Sequence, residues 1–196
     1  MVARSEESRQ AVLNATRELL GIGVEASGMS VQRLTIEAIA KRAGVSKATI
    51  YRWWPSKAAV VLDAFVVEYL PHTHVRTDLP FPEALRDHVR AVVRQYAGRD
   101  GRVIAQLIAE SQYDPETLAE FHRRFWDDRR DAVIELMTHG RDEGVIPPGT
   151  DLEIAATLVY APIYQRLLIR DGELTQDFAD AIVELGLASL SSPIRS

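Results

Sequence analysis

A single glycine between two short apolar-striped runs is the feature that most constrains the fold of this chain. It is Gly44, in the stretch TIEAIAKRAGVSKATIYRWWPSK at residues 35–57. Glycine takes the left-handed backbone that ends a helix at no steric cost, so the first helix is predicted to stop there. Thr35 is a favourable N-cap for the start of that helix. Its apolar stripe recurs at three- and four-residue spacing and consists of Ile36, Ile39, Ala40 and Ala43.

The run after this glycine predicts a second short helix, capped by Ser46 and extending through Trp54. At about 100° per residue, Ile50 and Trp54 lie within about 40° of each other and face inward, while Ala48 and Arg52 point away. Two short helices joined by a glycine turn, the second with a small and polar outer face, are typical of a helix-turn-helix. Such a second helix fits the major groove of duplex DNA. An ordinary helical hairpin with a solvated basic edge is the alternative that the spacing leaves open.

The side chains of the second run predict how it would bind DNA. A lysine at the start of the helix can donate to guanine O6 or N7, and a threonine can contact a thymine methyl or a phosphate. Donors at or beyond the end of the helix reach backbone phosphates, and a helix N-terminus favours the same anions. The predicted DNA-binding residues of the helix-turn-helix at 35–54 and its flank are Thr35, Ser46, Lys47, Ala48, Thr49, Tyr51, Arg52, Trp53 and Lys57.

The net charge is unevenly distributed along the chain, which is acidic overall at −5. Eight Lys or Arg and five Glu give residues 1–56 a net charge of +3, while the other 140 residues carry 15 basic and 23 acidic groups, a net charge of −8. A basic part that faces a polyanion, beside an acidic body that does not, explains this asymmetry. A random scatter of surface charge is the alternative.

Helical periodicity dominates the rest of the chain, and strand alternation is nearly absent. The fold class is therefore predicted as all-α, with about nine helices. Beyond the opening stretch, helices are predicted at residues 8–20, 57–70, 83–97, 102–111, 115–143, 152–169 and 175–190.

Three prolines in PHTHVRTDLPFP, at residues 71–82, mark the clearest internal boundary. The predicted organisation is a helix-turn-helix DNA-binding domain at 1–56, a connecting helix at 57–70 and a C-terminal ligand-binding and dimerisation domain at 71–196. No transmembrane helix is predicted, because Asp63 interrupts the longest apolar run. The charged N-terminus does not resemble a signal peptide, so a cytoplasmic protein without a membrane partner is expected.

Residues 39–57 resemble the DNA-binding region of the TetR family of bacterial transcriptional regulators. The helices predicted at 8–20 and after Ser56 lie where that family has its first and fourth helices. Trp53 departs from the family, in which a histidine or a basic residue is more typical at this place. The pattern IA..AGVS..T.Y..W.SK is in register at Ile39, Ala40, Ala43, Gly44, Val45, Ser46, Thr49, Tyr51, Trp54, Ser56 and Lys57.

The resemblance implies a homodimer bound to a roughly palindromic double-stranded DNA operator, most often as a repressor that a small-molecule effector releases. In the family, the last two helices pair with their copies as a four-helix bundle. Both predicted helices at 152–169 and 175–190 are apolar on more than one side, as a partner surface requires, and burial within one chain is the alternative. The predicted dimer-interface residues are Leu158, Val159, Ile163, Leu167, Phe178, Ile182 and Leu185.

A ligand pocket is predicted among the helices of residues 83–168. Aromatic side chains would supply its walls, and a histidine and a glutamine could orient a ligand. For each aromatic residue, an ordinary place in the core is the alternative. The predicted pocket residues are Tyr96, Tyr113, Phe121, His122, Phe125, Trp126, Tyr160, Tyr164 and Gln165.

No catalytic residue, metal ligand or cofactor is predicted for this chain. It has no cysteine, and it contains no G-x-S-x-G nucleophile motif, P-loop or dinucleotide fingerprint. Two alternatives from other classes stay open. One is a helical enzyme or small-molecule-binding protein that uses the N-terminal helices only for packing, and the other is a protein–protein adaptor.

Overall fold

The computed structural model describes residues 2–23, 28–69 and 73–191, and within them it contains helices and no strand. These residues form nine helical segments, in agreement with the sequence prediction, because α7, a π-helical turn and α8 run on without a break. The elements are α1 (Val2–Leu20), α2 (Ile36–Ala43), α3 (Lys47–Tyr51), α4 (Lys57–Tyr69), α5 (Phe81–Ala97), α6 (Arg99–Ser111), α7 (Pro115–Phe121), the π-helical turn (His122–Trp126), α8 (Asp127–Asp142), α9 (Leu152–Ile169) and α10 (Gln176–Leu190).

The chain divides into two compact units. The first unit comprises Met1–Leu70 and Gly98–Asp127, and the second comprises Pro71–Ala97 and Asp128–Ser196. The second unit thus begins where the predicted connecting helix ends. The compact unit that contains α1–α4 also contains residues 98–127, which the sequence analysis assigns to the C-terminal domain. The boundaries of the functional domains stay a prediction.

Side chains of α6 explain why this helix belongs to the first unit. Arg99 Nε donates to the backbone carbonyl of Leu20 at 2.7 Å, at the C-terminal end of α1. Gln106 Oε1 accepts the backbone N–H of Val31 at 2.7 Å, in the segment before α2. Backbone groups outside helices need partners of this kind when they are shielded from water. Helix α6, although distant in sequence, therefore supplies partners to backbone groups at the end of α1 and before α2.

Helices α5, α9 and α10 form the core of the second unit. Val89, Val159 and Val183, one from each helix, are fully buried. Across the rim, Arg90 Nε and Nη2 donate to the two carboxylate oxygens of Asp180 at 2.6 and 2.7 Å. This bidentate pair fixes the position of α10 along α5, because both hydrogen bonds form only when Arg90 and Asp180 lie opposite each other.

Helix α9 is the one helix among the described residues whose length and apolar composition would let it cross a membrane. Core helices of soluble proteins meet the same criterion. In the structure, Ala155, Val159 and Ile163 on one side of α9 are buried within the second unit. The absence of a membrane helix stays a prediction from the sequence.

A buried histidine joins α5 to α9. Nδ1 of His88 lies 2.6 Å from the hydroxyl oxygen of Tyr160. Burial lowers the pKa of His88 to about 4, against a hydrogen bond with the backbone of Thr73 that raises it. The charges of Arg129 and His74 lower this pKa further, and the charge of Asp87 raises it. His88 is therefore neutral in the folded protein at neutral pH.

We expect His88 to make the free energy of unfolding fall by about 2 kcal/mol between about pH 7 and about pH 5. In the unfolded chain its pKa is near 6.5 and it binds a proton over this range, whereas the folded residue, with a pKa of about 4, does not. This part of the stability is complete above pH 6.5 and is lost as the pH falls towards 4. Urea unfolding of the wild type and of His88→Gln at both pH values measures the effect, with His122→Gln, at an exposed position, as control. An identical pH dependence in His88→Gln and the wild type would contradict the assignment.

Candidate nucleic-acid interface

Two capped helices and a left-handed glycine build the helix-turn-helix. The hydroxyl of Thr35 accepts the N–H of Ala38 at 3.1 Å and begins α2. Gly44 ends α2 with φ 69° and ψ 29°, in the left-handed region. The hydroxyl of Ser46 then accepts the N–H of Thr49 at 3.1 Å and begins α3. Each side-chain cap stabilises its helix by about 1 kcal/mol. The predicted caps and the predicted glycine turn are confirmed.

The inner side of α3 is apolar and fully enclosed. Ile50 and Trp54 are buried, as the helical period predicts, and Ile39 of α2 is buried with them. The helix itself is shorter than predicted and ends at Tyr51. The N–H groups of Trp53 and Trp54 both donate to the carbonyl of Ile50, at 2.9 and 3.0 Å, so the chain leaves the helix in a tight turn.

The outer side of α3 and the two residues that follow it carry most of the predicted DNA-binding residues. Lys47, Ala48, Tyr51, Arg52 and Trp53 are all exposed. The guanidinium carbon of Arg52 lies 5.8 Å from the centre of the Trp53 ring, within the range of a cation–π contact. Because Ala48 is small, the first turn of α3 can approach a DNA groove closely, and Tyr51 and Arg52 place hydrogen-bond donors at its other end.

Lys47, the predicted base-reading lysine, has an ion-pair partner that the sequence did not reveal. Its Nζ lies 2.8 Å from Oε1 of Glu37 on α2, and both side chains are exposed. A hydrogen bond with the partner raises the pKa of Lys47 and lowers the pKa of Glu37. The pair holds the ammonium over the outer edge of the two helices. Ten residues separate the two, so no helical spacing signals the contact.

Lys57 is not directed outward as the phosphate contact that the sequence predicts. Its Nζ donates to the backbone carbonyl of Val31 at 2.8 Å and lies 3.7 Å from Oε1 of Glu110 on α6. Both charged side chains are about a quarter exposed, at 27% and 23%. The ammonium therefore stabilises the segment before α2, and we expect this role for Lys57 rather than the predicted phosphate contact.

Asp63 is a residue of this region that the sequence singled out without assigning it a role. Its carboxylate Oδ2 accepts the indole N–H of Trp54 at 2.7 Å. The sequence signal was present, since Asp63 is the one charge in the apolar run at 58–67. It was used only as an argument against a membrane helix. Asp63 therefore anchors Trp54, at the end of the helix-turn-helix.

Two family models match the chain that has this geometry. Residues 12–64 match the model of bacterial regulatory proteins of the tetR family, and residues 81–185 match a tetracyclin repressor-like C-terminal domain. The HTH-type transcriptional regulator YdeS of Bacillus subtilis (strain 168) is 35% identical over 92% of this chain and 88% of its own length. The chain belongs to the TetR family of transcriptional regulators.

Further relatives agree with this TetR-family membership. The HTH-type transcriptional regulator Mb1581 of Mycobacterium bovis is 30% identical over 78% of this chain and 75% of its own. The crystal structure of the TetR family transcription regulator SCO0332 superimposes with a TM-score of 0.80 at 29% identity, covering 95% of this chain and 100% of that one. The all-α fold with an N-terminal helix-turn-helix is confirmed, and the protein is a DNA-binding transcriptional regulator.

The predicted pocket residues of this TetR-family chain are divided between the two units. In the first unit, Phe121 and Phe125 are buried with ring centres 5.4 Å apart, and Phe125 also packs on Phe65 at 5.5 Å. Tyr113 extends into solvent. The first unit holds Tyr113, Phe121, His122, Phe125 and Trp126, and the second holds Tyr96, Tyr160, Tyr164 and Gln165.

In the second unit, three of the four predicted pocket residues take part in aromatic pairs. The rings of Tyr96 and Tyr164 lie 5.9 Å apart with their hydroxyl oxygens at 3.4 Å, and Tyr160 pairs with His88. Gln165 is exposed and its Nε2 donates to Asp171 at 2.9 Å. Gln165 therefore lies on the solvent side of α9, away from the side that packs in the core.

The predicted dimer-interface residues separate into buried and exposed groups. Leu158 and Leu185 are 52% and 71% exposed. Phe178 is partly covered, because the guanidinium carbon of Arg166 lies 3.5 Å from its ring centre. The remaining four side chains have almost no surface left for a second chain, and their place in the interface stays a prediction. These are Val159, Ile163, Leu167 and Ile182, all buried within the second unit.

We expect Lys57→Met to lower the free energy of unfolding by about 1 kcal/mol, because it removes the charged donor to the carbonyl of Val31. The salt dependence of DNA binding should stay as in the wild type. A lost phosphate contact would instead lower the slope of log K against log salt by about 0.9. Thermal unfolding and DNA titrations at several salt concentrations measure both quantities. Arg141→Met, at an exposed position of α8 in the second unit, is the control. A reduced slope with unchanged stability would return Lys57 to the DNA interface.

Proposed function

We propose that this TetR-family regulator is a cytoplasmic homodimer that represses transcription by binding a palindromic operator, and that a small-molecule effector releases it. It acts by binding rather than by catalysis. The observation that carries the proposal is the geometry of α3. Its apolar side is locked by Ile50 and Trp54, and its outer side presents Lys47, Ala48 and Arg52 to solvent.

The outer side of α3 has the chemistry for base reading. Lys47 stands in the first turn and can donate to guanine, beside Ala48, whose methyl group leaves room for base edges or for a thymine methyl. Thr49 completes a first turn without bulk. Tyr51 and Arg52 follow at the C-terminal end, where donors reach phosphates. The order of these residues supports an α3 that enters the major groove with its N-terminal turn.

The charge distribution supports the same orientation. Residues 1–56 carry a net charge of +3 within a chain whose net charge is −5. Phosphates attract the basic region and repel the acidic remainder, so electrostatics favour encounters in which α3 faces the duplex. Lys41 and Arg42, in the last turn of α2, add to the basic side.

The dimer is supported by an exposed apolar stripe on α9. At about 100° per residue, Ile154, Leu158, Leu168 and Ile169 fall within about 100° of arc, on the side opposite the buried residues. Leu185 of α10 is a further exposed leucine in the same unit. A homodimer has a self-complementary interface, and a two-fold axis would give it the symmetry of a palindrome. We propose Leu158 and Leu185 as members of that interface.

The effector is proposed from the family and from the solved neighbours. FadR of Bacillus subtilis was crystallised in complex with stearoyl-CoA, and FadR of Thermus thermophilus with lauroyl-CoA. At 17% and 21% identity to this chain, these neighbours share the fold alone. They support a regulator of this fold that responds to a small molecule. The aromatic pair Tyr96 and Tyr164 remains our proposed contact for the effector in the second unit.

The proposal is tested by selecting duplexes from a random pool at about 0.15 M salt, near physiological ionic strength. We expect enrichment of a two-fold palindrome with half-sites about one helical turn apart or slightly more. Lys47→Ala should then relax the base preference at one symmetric position, at a loss of about 1–3 kcal/mol. Lys41→Ala should keep that preference. A pool without enrichment would overturn the proposed function, and an unchanged preference with weaker binding would reassign Lys47 to a phosphate.

We expect Leu185→Glu to shift the protein from dimer towards monomer, because it buries an unpaired carboxylate in the proposed interface. Val67→Glu, at an exposed apolar position of α4, should leave the dimer intact. Sedimentation velocity over a range of protein concentrations distinguishes the two forms. An unchanged dimer in Leu185→Glu would exclude this residue from the interface.

A further inference from the structure

Asp63 places a carboxylate in a helix that is otherwise built from buried apolar residues. Helix α4 carries this charge between Leu62 and Ala64, both fully buried. Removing an ionised carboxylate from water costs several kcal/mol unless it is paired and hydrogen-bonded. Asp63 is 26% exposed, so its place depends on its partners.

The two oxygens of this carboxylate bind two different parts of the first unit. Oδ2 accepts the indole N–H of Trp54 at 2.7 Å, and Oδ1 accepts from Nη1 of Arg124 at 2.7 Å. Trp54 follows α3 by three residues and is almost completely buried. Arg124 lies in the π-helical turn His122–Trp126, 61 residues after Asp63. One side chain therefore joins the end of the reading helix to a turn that is distant in sequence.

Arg124 is held in that turn by a second carboxylate. Its Nε donates to Glu120 of α7, and Arg123 donates to the other oxygen of the same side chain. Glu120 is buried, and Phe125 of the same turn is fully buried against Phe65. The turn is therefore anchored by both charge and packing. π-helical turns are rare and occur frequently at functional sites.

We propose that Asp63 positions the reading helix, by holding Trp54 with one oxygen and Arg124 of the π-helical turn with the other. This inference rests on the proposed function, in which α3 enters the major groove. Arg124 is then a positioning residue that touches no DNA. A change in the π-helical turn alters operator affinity because it moves Arg124, and Arg124 and the Trp54 indole bind the same carboxylate, that of Asp63.

A matched pair of variants isolates this contact. Arg124→Gln and Arg123→Gln each remove one positive charge and one partner of Glu120, at neighbouring positions. Only Arg124 also contacts Asp63. We expect Arg124→Gln to weaken binding to the selected operator by about threefold to thirtyfold. Arg123→Gln should stay within about threefold of the wild type.

The salt slope separates positioning from phosphate contact. Because Arg124 is proposed not to touch DNA, its variant should keep the wild-type slope of log K against log salt. A slope smaller by about 0.9 would make Arg124 a phosphate contact and overturn the proposal. Asp63→Asn keeps the side-chain shape and an acceptor for Trp54 but not the charge. The losses of operator affinity in Asp63→Asn and Arg124→Gln should therefore be non-additive. The double variant should bind the operator no more weakly than the single variant that binds less tightly.

A spectroscopic readout needs no DNA and keeps the two proposals distinguishable. The full chain, labelled with ¹⁵N in its three tryptophans, gives one indole N–H signal for each of Trp53, Trp54 and Trp126. Trp53→Phe and Trp126→Phe assign the signal of Trp54. We expect this signal to move in Arg124→Gln and to stay in place in Arg123→Gln. If Arg124→Gln does not fold, Asp63→Asn serves the same comparison.

Each outcome has one meaning. If the wild type binds its operator and Arg124→Gln binds within threefold of it, or if the Trp54 signal does not move, the positioning role is wrong and the proposed function stands. If the wild type enriches no duplex while the Trp54 signal moves as expected, the contact is real but the proposed function fails, and the positioning of a DNA-reading helix falls with it. Loss of operator affinity together with a moved signal supports both.

Discussion

The packing of the buried Trp54 side chain is the interaction on which the placement of α3, the proposed DNA-reading helix, depends. Helix α3 has only five residues, and so short a helix is not stable alone in water. Its caps supply local hydrogen bonds, but its place in the unit comes from the buried Ile50 and Trp54. Trp54 adds a directional bond, from its indole N–H to Asp63. The outer residues of α3 can vary in chemistry because its inner side is fixed.

Polar groups inside the two units act mainly as geometric constraints. Asp63, His88 and Glu120 would each be costly to bury alone, and each has partners that the fold brings to it. Such pairs add little net stability compared with apolar residues of the same volume. What they supply is a definite orientation, since a bond of this kind tolerates little change in distance or angle. The first unit uses this to orient its reading helix.

Helix α9 shows how one element can contribute to a core and to an outer surface. Val159 and Ile163 are buried within the second unit, while Ile154 and Leu158 are exposed on the opposite side. A helix sequence that is apolar on both sides indicates only that each side needs a surface to pack against. The fold of the single chain supplies the first partner. The exposed stripe requires the second, which in the proposed function is another copy of the chain.

The sequence by itself determined the local structure of the reading head. Thr35, Gly44 and Ser46 act on backbone groups within three residues or so, and the helical period sets which side chains of a helix share a side. The all-α class and the family resemblance follow from such local patterns. Only the tertiary structure decided which residues pair at long range. Lys57 donates to the carbonyl of Val31, and the carboxylate of Asp63 accepts from both Trp54 and Arg124. Residues 98–127 pack with the N-terminal helices. The physical reason is that such contacts depend on where distant backbone segments come to lie, and no spacing along the chain encodes that distance.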